Sequence, residues 1–455
     1  MKITLTNRLT LAEPPETLRD ELRRTLTLPN PRWLENERMG RWNRNTPKIL
    51  KFYTQTRSGN LIVPRGCIRM AISLCRQHGV AYTIDDRRRM LPPGDFSFQG
   101  TLRPFQTRAV TAMLAREFGT LSAPTGSGKT VMALHIIAIR RQPTLIIVHT
   151  KELAFQWIDR IEAFLGIPAT EVGLIGGGKL FVGSKVTVAL VQSLYKCAAT
   201  VSPRIGHIVV DECHRTPSRT VTEAVVEFDA RYMLGLSATP WRRDKLSKLI
   251  FWHLGDVHWE VAKTALVESG DVLPAEVIVR ETDFKPYVDP VREYSKMLSE
   301  LAADDRRNRM IAQDVAQEAQ AGKGVCLVLS DRKSHCENLQ AMLRYRHRLP
   351  AELLTGNLKV DQRREILERL RRGEVKVLIA TGQLIGEGFD YEHLSPLFLV
   401  TPIRFSGRLL QYLGRVLRPA PGKQAAKVYD YVDVHVDVLR AAAQARQRIY
   451  AGKSR

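Results

Sequence analysis

The stretch A-P-T-G-S-G-K-T at residues 123–130 restricts the architecture more than any other feature of the chain. It follows a short apolar stretch at 119–122 and precedes V-M-A-L-H-I-I-A-I, which has the period of a helix. A strand, a glycine-rich turn and a helix in that order make a phosphate-binding loop. Gly126 and Gly128 let the backbone N–H groups of the turn converge on one anion, and the helix presents its positive end to the same place. Pro124, Thr125 and Ser127 complete the cradle. Lys129 is expected to reach the β- and γ-phosphates of ATP, and Thr130 to hold Mg²⁺ through its hydroxyl. The general pattern opens with glycine; here Ala123 takes that place.

The rest of the chain suits such a loop. Strand-length apolar runs alternate with helix-period sequence: T-L-I-I-V-H (144–149), K-V-T-V-A-L-V (185–191), H-I-V-V-D (207–211) and Y-M-L-G-L-S (232–237). A second series lies at 324–330, 375–381, 397–400 and 427–432. This alternation is the mark of parallel sheets wrapped by helices. The fold class expected is therefore α/β, with two parallel-sheet domains at 96–265 and 266–455. They are joined near 260–285. A smaller basic domain spans 1–95 and ends at the turn-rich M-L-P-P-G-D. Residues 291–320 read as helix, and the tail as a basic helix that frays at its end.

At 209–215 the chain reads V-V-D-E-C-H-R. Side by side, these groups could be a metal cluster, a Cys–His nucleophile or the acidic half of the nucleotide site. The six cysteines are scattered with no C-x-x-C pair, which argues against zinc and disulfides and fits a reducing compartment. Cys213 and His214 are adjacent in sequence, and neighbours at a strand end point apart, a poor arrangement for sharing a proton. The acidic reading remains: Asp211 to bind the Mg²⁺ that Thr130 also touches, Glu212 to orient or deprotonate the attacking water.

Charge supplies the partner class. Lys and Arg number 69 against 47 Asp and Glu, a net charge of +22. That excess fits a polyanion, above all nucleic acid. Residues 1–100 alone hold 18 basic and 9 acidic side chains. In R-W-L-E-N-E-R-M-G-R-W-N-R-N-T-P-K (32–48), Trp33 and Trp42 alternate with arginines, including Arg41. Such a run can stack bases and neutralise phosphates; the alternative is two core tryptophans among solvated arginines. No apolar run approaches the ~18 residues of a membrane span, and the N-terminus lacks an apolar signal region. A cytoplasmic or nucleoid-associated location without membrane contact is expected.

Kinases, GTPases and motors all carry a phosphate loop and an acidic strand end. The second α/β domain discriminates, through Q-Y-L-G-R-V-L-R-P (411–419), where Arg415 and Arg418 stand three apart on one face of an expected helix. They are either arginine fingers for the γ-phosphate or part of a basic surface helix.

With these residues in view, the chain resembles the superfamily 2 helicases and translocases over nearly all of 100–435. The motifs fall in the family's order: L-R-P-F-Q (102–106), A-P-T-G-S-G-K-T, H-T-K-E-L-A-F-Q-W (149–157), A-L-V-Q-S-L (189–194), D-E-C-H, L-S-A-T-P (236–240), A-T-G-Q-L-I-G-E-G-F-D (380–390) and Q-Y-L-G-R-V-L-R. D-E-C-H in place of D-E-A-D, Gln411 opening the last motif, and W-R-R-D at 241–244 lean toward the DNA-directed branch that includes XPB, phage UvsW and restriction-enzyme motors. The resemblance implies two tandem RecA-like domains that hydrolyse ATP between them and unwind or remodel duplex or branched DNA. It implies Gln106 as adenine reader beside Arg103, and Gly386 and Asp390 at the nucleotide. Gln411, Arg415 and Arg418 complete the catalytic set, while His214, Ser237 and Thr239 couple hydrolysis to nucleic acid. Thr150, Gln192, Thr355 and Thr381 are implied contacts to the strand backbone, each also readable as a plain loop or cap residue. Two other readings stay open: a non-unwinding motor or recognition subunit serving a partner nuclease or repair protein, and an RNA helicase.

Overall fold

The computed structural model describes residues 1–455 except 216–218, 239–245, 269, 323, 357, 359, 383, 384, 386–390, 392, 404, 405, 422 and 452–455. The chain divides into two compact units, Met1–Ala123 with Gly128–Val261, and Pro124–Ser127 with Ala262–Arg455.

The first unit is built on an eight-stranded sheet. Its strands run in the order Lys179–Phe181, Gly173–Gly176, Val186–Leu190, Thr144–Val148, His207–Val210, Tyr232–Ser237, Phe118–Ser122, Val257–Glu260. All neighbours are parallel except the outermost pair, Lys179–Phe181 with Gly173–Gly176. The central strands are covered by helices on both faces, so every residue of T-L-I-I-V and V-T-V-A-L is buried. Each Ile, Leu or Val hidden this way contributes roughly 1.5–3 kcal/mol.

The N-terminal residues form a five-stranded sheet ordered Thr54–Gln55, Leu61–Pro64, Arg8–Leu11, Lys2–Leu5, Thr83–Asp86, backed by helices Glu16–Thr25 and Ile68–Gln77. Its short strands alternate: in K-I-T-L, Ile3 and Leu5 are buried while Lys2 is exposed. The core beneath them is shared, because Leu249 and Trp252 of helix Ser247–Leu254 pack into it with Leu9, Leu18 and Leu61. Polar ties reinforce the join. The buried Arg65 guanidinium donates to the carbonyls of Phe228 and Ala230 at 3.4 and 2.8 Å. Arg89 grips Asp229 through two bonds of 2.9 and 3.0 Å, and Arg88 and Arg231 converge on Glu117. The backbones meet so closely at Gly66 that a Cβ there would lie 2.3 Å from the Phe251 carbonyl oxygen.

A largely exposed arm belongs to this region. The antiparallel pair Thr27–Pro29 and Ile49–Lys51 forms its base. Helix Pro31–Arg38 opens the intervening excursion, with Pro31 at its first position and the Asn30 side chain accepting from Arg32 N.

The second unit holds a six-stranded, wholly parallel sheet ordered Ala275–Thr282, Ala426–Asp433, Leu394–Leu399, Val325–Ser330, Val377–Thr381, Glu352–Leu354. Two expectations change here, and the expected tail helix is present. The joining stretch at 260–285 contains an eight-residue edge strand, Ala275–Thr282. The single helix expected over 291–320 is two, Tyr294–Ala303 and Asp305–Ala321, broken where the Asp304 side chain caps the second by accepting from Arg307 N. The tail helix Asp437–Tyr450 is docked along its length, with Leu439, Ala443 and Ile449 buried and Arg446 clamped onto Asp430. Among the described residues no helix is long and apolar enough to cross a membrane.

Candidate nucleotide site and nucleic-acid face

Five parallel strands of the first unit deliver the predicted motifs to one edge, because parallel strands all end on the same side. Phe118–Ser122 leads into the phosphate loop, Tyr232–Ser237 ends on Ser237, His207–Val210 runs into Asp211, Thr144–Val148 leads to Thr150, and Val186–Leu190 precedes Gln192. Their lateral order separates two tasks. The ATP motifs occupy three adjoining strands, and the two candidate backbone contacts occupy the next two.

The loop has the backbone that glycine permits. Gly126 and Gly128 take φ of +91° and +77°, and Gly128 is the N-cap of helix Lys129–Arg140. A Cβ on Gly128 would meet Gln106 Nε2 at 2.5 Å, so the loop's end and the expected adenine reader are held together. Gln106 is buried, and its Oε1 accepts from Arg103 N at 3.0 Å at the start of helix Pro104–Leu114. Ser127 is buried with its hydroxyl donating to the Pro124 carbonyl at 2.7 Å. Lys129 Nζ donates to the Ala123 carbonyl at 2.9 Å, and Thr130 stands in the first turn of the helix.

The acidic pair sits beyond the end of its strand. Asp211 is buried; its Oδ1 accepts from Glu212 N and its Oδ2 from Trp157 Nε1, both at 2.9 Å. Burial first, and the neighbouring Glu212 charge second, push the Asp211 carboxyl up to about 6, while Trp157 and Lys129 pull the other way. Glu212 adopts a φ of +47°, a left-handed geometry unusual for a glutamate. His214 Nδ1 lies 3.3 Å from Glu212 Oε2 and 3.2 Å from Ser237 Oγ, so one imidazole bridges the acidic motif and the strand end of L-S-A-T-P. Cys213 is fully buried and its thiol is pushed well above its ordinary range by that burial, which removes it as a nucleophile. Among the described residues no group of three His, Cys, Asp or Glu side chains could hold a metal ion.

These donors suit Mg²⁺ and a triphosphate. A hydroxyl and a buried carboxylate are hard oxygen ligands, and Mg²⁺ keeps much of its water, so it needs few protein atoms. A lysine beside a left-handed glycine turn meets the phosphates.

In the second unit, Thr355 and Thr381 follow or end adjacent parallel strands, with Leu354 paired to Ala380. Thr355 is buried and Thr381 partly so. Gln411 and Arg415 lie on helix Ser406–Val416. Arg418 lies two residues beyond that helix, so the expectation that both arginines share one helical face is corrected: the helix stops at Val416, ahead of Pro419. Gly386, Asp390, Thr239 and the W-R-R-D run lie outside the described residues.

The tryptophans of the arm are not core residues. Trp42 is 82% exposed with the Arg44 guanidinium 5.6 Å from its ring centre. Trp33 is half-buried under Lys48 Nζ at 4.9 Å, and Arg41 is exposed. Trp157, whose indole donates to Asp211, is a contact of the acidic motif that the sequence did not suggest. It stands at the end of H-T-K-E-L-A-F-Q-W, and its indole is legible there only as one position of a buried helical stripe.

Two family models match the chain: "Type III restriction enzyme, res subunit" over residues 99–242 and "Helicase conserved C-terminal domain" over 308–420. The chain is similar to the "DNA 3'-5' translocase XPB2" of Sulfurisphaera tokodaii, 28% identical, covering 70% of this chain and 78% of the relative. It is also similar to the "Putative ATP-dependent RNA helicase L396" of Acanthamoeba polyphaga mimivirus, 27% identical over 79% of this chain and 69% of that one. Among solved structures, S. cerevisiae Dbp5 bound to RNA and ADP BeF3 superposes with a TM-score of 0.55 at 15% identity, covering 77% of this chain and 88% of that chain, a likeness of fold.

Proposed function

We propose that this chain is a DNA-stimulated ATPase of the superfamily 2 helicase and translocase class, in the branch of the XPB-type and restriction-enzyme motors, that translocates on and unwinds or remodels duplex or branched DNA; the two family models and the XPB-type relatives support this reading. The observation that carries this reading is the run Lys129, Asp211, Glu212, His214, Ser237, assembled on adjacent strand ends beside Thr150 and Gln192. A nucleotide chemistry and a candidate strand contact thereby share one rigid sheet edge.

In this mechanism Lys129 leaves the Ala123 carbonyl for the β- and γ-phosphates, an exchange of one acceptor for a doubly charged one. Thr130 and Asp211 would hold Mg²⁺, which would supply charge neutralisation at the phosphates. Glu212 orients and deprotonates the attacking water, and its left-handed backbone aims the carboxylate. Gln411, Arg415 and Arg418, with Gly386 and Asp390, are assigned to the triphosphate by the motifs they belong to. Gln106 and Arg103 read the base. His214, joined to both Glu212 and Ser237, carries the state of the γ-phosphate to the L-S-A-T-P segment, with Thr239 beyond it. Thr150, Gln192, Thr355 and Thr381 grip the strand backbone, and Arg41 and Trp42 on the arm meet DNA ahead of the motor. The three-part division at 1–95, 96–265 and 266–455 then reads as recognition, ATP-binding and second motor domain. On this reading the protein works on DNA, in the cytoplasm or nucleoid, with or without a nuclease or repair partner.

The experiment is ATP hydrolysis and strand displacement measured on single-stranded, duplex and forked DNA and on RNA duplexes. Stimulation by DNA forks with displacement supports the reading. Stimulation without displacement selects the non-unwinding motor, and stimulation by RNA alone selects an RNA helicase.

A further inference from the structure

The carboxylate assigned to Mg²⁺ is held by a side chain from a different motif. Asp211 follows a strand of four residues, and an aspartate there is free to rotate about two torsions. Two donors remove that freedom, because they act on different oxygens: the backbone N–H of Glu212 on Oδ1, and the indole N–H of Trp157 on Oδ2. The first donor is local and would move with the strand end. The second comes from 54 residues away and fixes the plane relative to helix Lys151–Leu165.

Trp157 is itself locked. It is 2% exposed and lies on the buried stripe of that helix with Ala154, Ile161 and Leu165. The chemistry also suits the place. An indole N–H donates but offers no lone pair, so it orients the carboxylate without competing as a metal ligand. Groups of this kind, one bond behind a ligand, set metal affinity by about 10–100-fold.

Resting on the nucleotide-site reading above, we infer that Trp157 is a positioning residue of the Mg²⁺ site, holding the Asp211 carboxylate in its metal-binding orientation through the indole N–H. Within Trp157 the two roles divide: the ring packs the helix, and the N–H orients the Asp211 carboxylate together with the Glu212 backbone.

The test separates those two roles in the full-length protein. Trp157 is replaced by β-(3-benzothienyl)alanine, which keeps the bicyclic ring and substitutes sulfur for N–H, and in parallel by 5-fluorotryptophan, which keeps the donor. Trp157→Phe is the genetically encoded companion. Binding of a fluorescent ATP analogue is titrated with Mg²⁺, alongside ATP hydrolysis. The expected result is a Mg²⁺ midpoint raised about tenfold by the benzothienyl and Phe replacements. Metal-free nucleotide affinity and turnover at saturating Mg²⁺ stay within about threefold of wild type, and fluorotryptophan restores the wild-type midpoint. An unchanged midpoint in the benzothienyl protein, or an equal loss of metal-free nucleotide affinity, would overturn the inference. Wild-type protein that binds no nucleotide at any Mg²⁺ concentration would instead remove the nucleotide-site reading beneath it.

Discussion

At the scale of single residues, the site is a set of atoms with little tolerance. Glu212→Gln keeps the side chain's size and removes the base. It is expected to lower ATP turnover by at least about 100-fold while ATP stays bound, since general-base catalysis contributes roughly 10²–10⁴-fold. Filter retention of labelled ATP together with phosphate release measures both; full turnover would remove Glu212 from its role. Gly128→Ala is a backbone test. At φ +77° the new methyl strains a left-handed backbone and displaces the Gln106 amide 2.5 Å away, and nucleotide binding is expected to fall by at least about tenfold. Calorimetric titration of ATP would show it. These residues were legible in the sequence because their spacing encodes them: the turn glycines and Lys129 are contiguous, and Asp211 and Glu212 end an apolar run. Trp157 was not legible as a donor to Asp211, since the bond joins positions 54 apart and its indole looks like any buried stripe residue.

Elements show the same division between local and distant information. The strands Thr144–Val148, Val186–Leu190 and His207–Val210 were readable because both faces are covered and, apart from His207, every position is apolar or small. Ala275–Thr282 was hidden because it is an edge strand paired on one side, with Glu276, Arg280 and Glu281 breaking its apolar run. Arg280 instead pairs with Asp314 through two 3.0 Å bonds. Arg418 escaped its expected helix because the next residue is Pro419, which disfavours helical backbone at the position before it. The union of the N-terminal sheet with helix Ser247–Leu254 was invisible for another reason: Cys67 and Ile68 meet Leu249 and Trp252 across more than half the first unit's length. That join yields a prediction. Gly66→Ala forces a methyl against the Phe251 carbonyl, and Arg65→Met leaves the carbonyls of Phe228 and Ala230 without their donor. Each is expected to destabilise the first unit by roughly 1–3 kcal/mol, seen as a lower unfolding midpoint in urea. Unchanged midpoints would mean the sheet is only loosely attached.

For the whole molecule, charge governs both stability and partner. His253 and His335 are held down to about 4 and about 3, by burial first and by the nearby Arg65 and Arg307 charges second. His207 is likewise held well below its ordinary value by burial and Arg140. Between those values and the unfolded pKa of about 6.5, the unfolded chain binds protons that the folded chain refuses. The stability these groups contribute is therefore intact above about pH 6.5 and lost as pH falls toward 4. Thermal melts across pH 4–8 should show a falling midpoint on acidification, sharpened by the net charge of +22. A flat profile would contradict it. The same excess charge makes nucleic-acid binding steeply salt-dependent, so one low salt concentration must be kept throughout any comparison. Under that condition, the most direct measurement is the ATP hydrolysis rate of the full chain with and without a forked DNA, for the wild type and for Lys129→Ala. The fork should raise the wild-type rate at least about tenfold, a barrier drop of roughly 1.4 kcal/mol, and Lys129→Ala should be inactive in both conditions. A wild-type rate indifferent to DNA, or one that survives the loss of Lys129, would contradict the account.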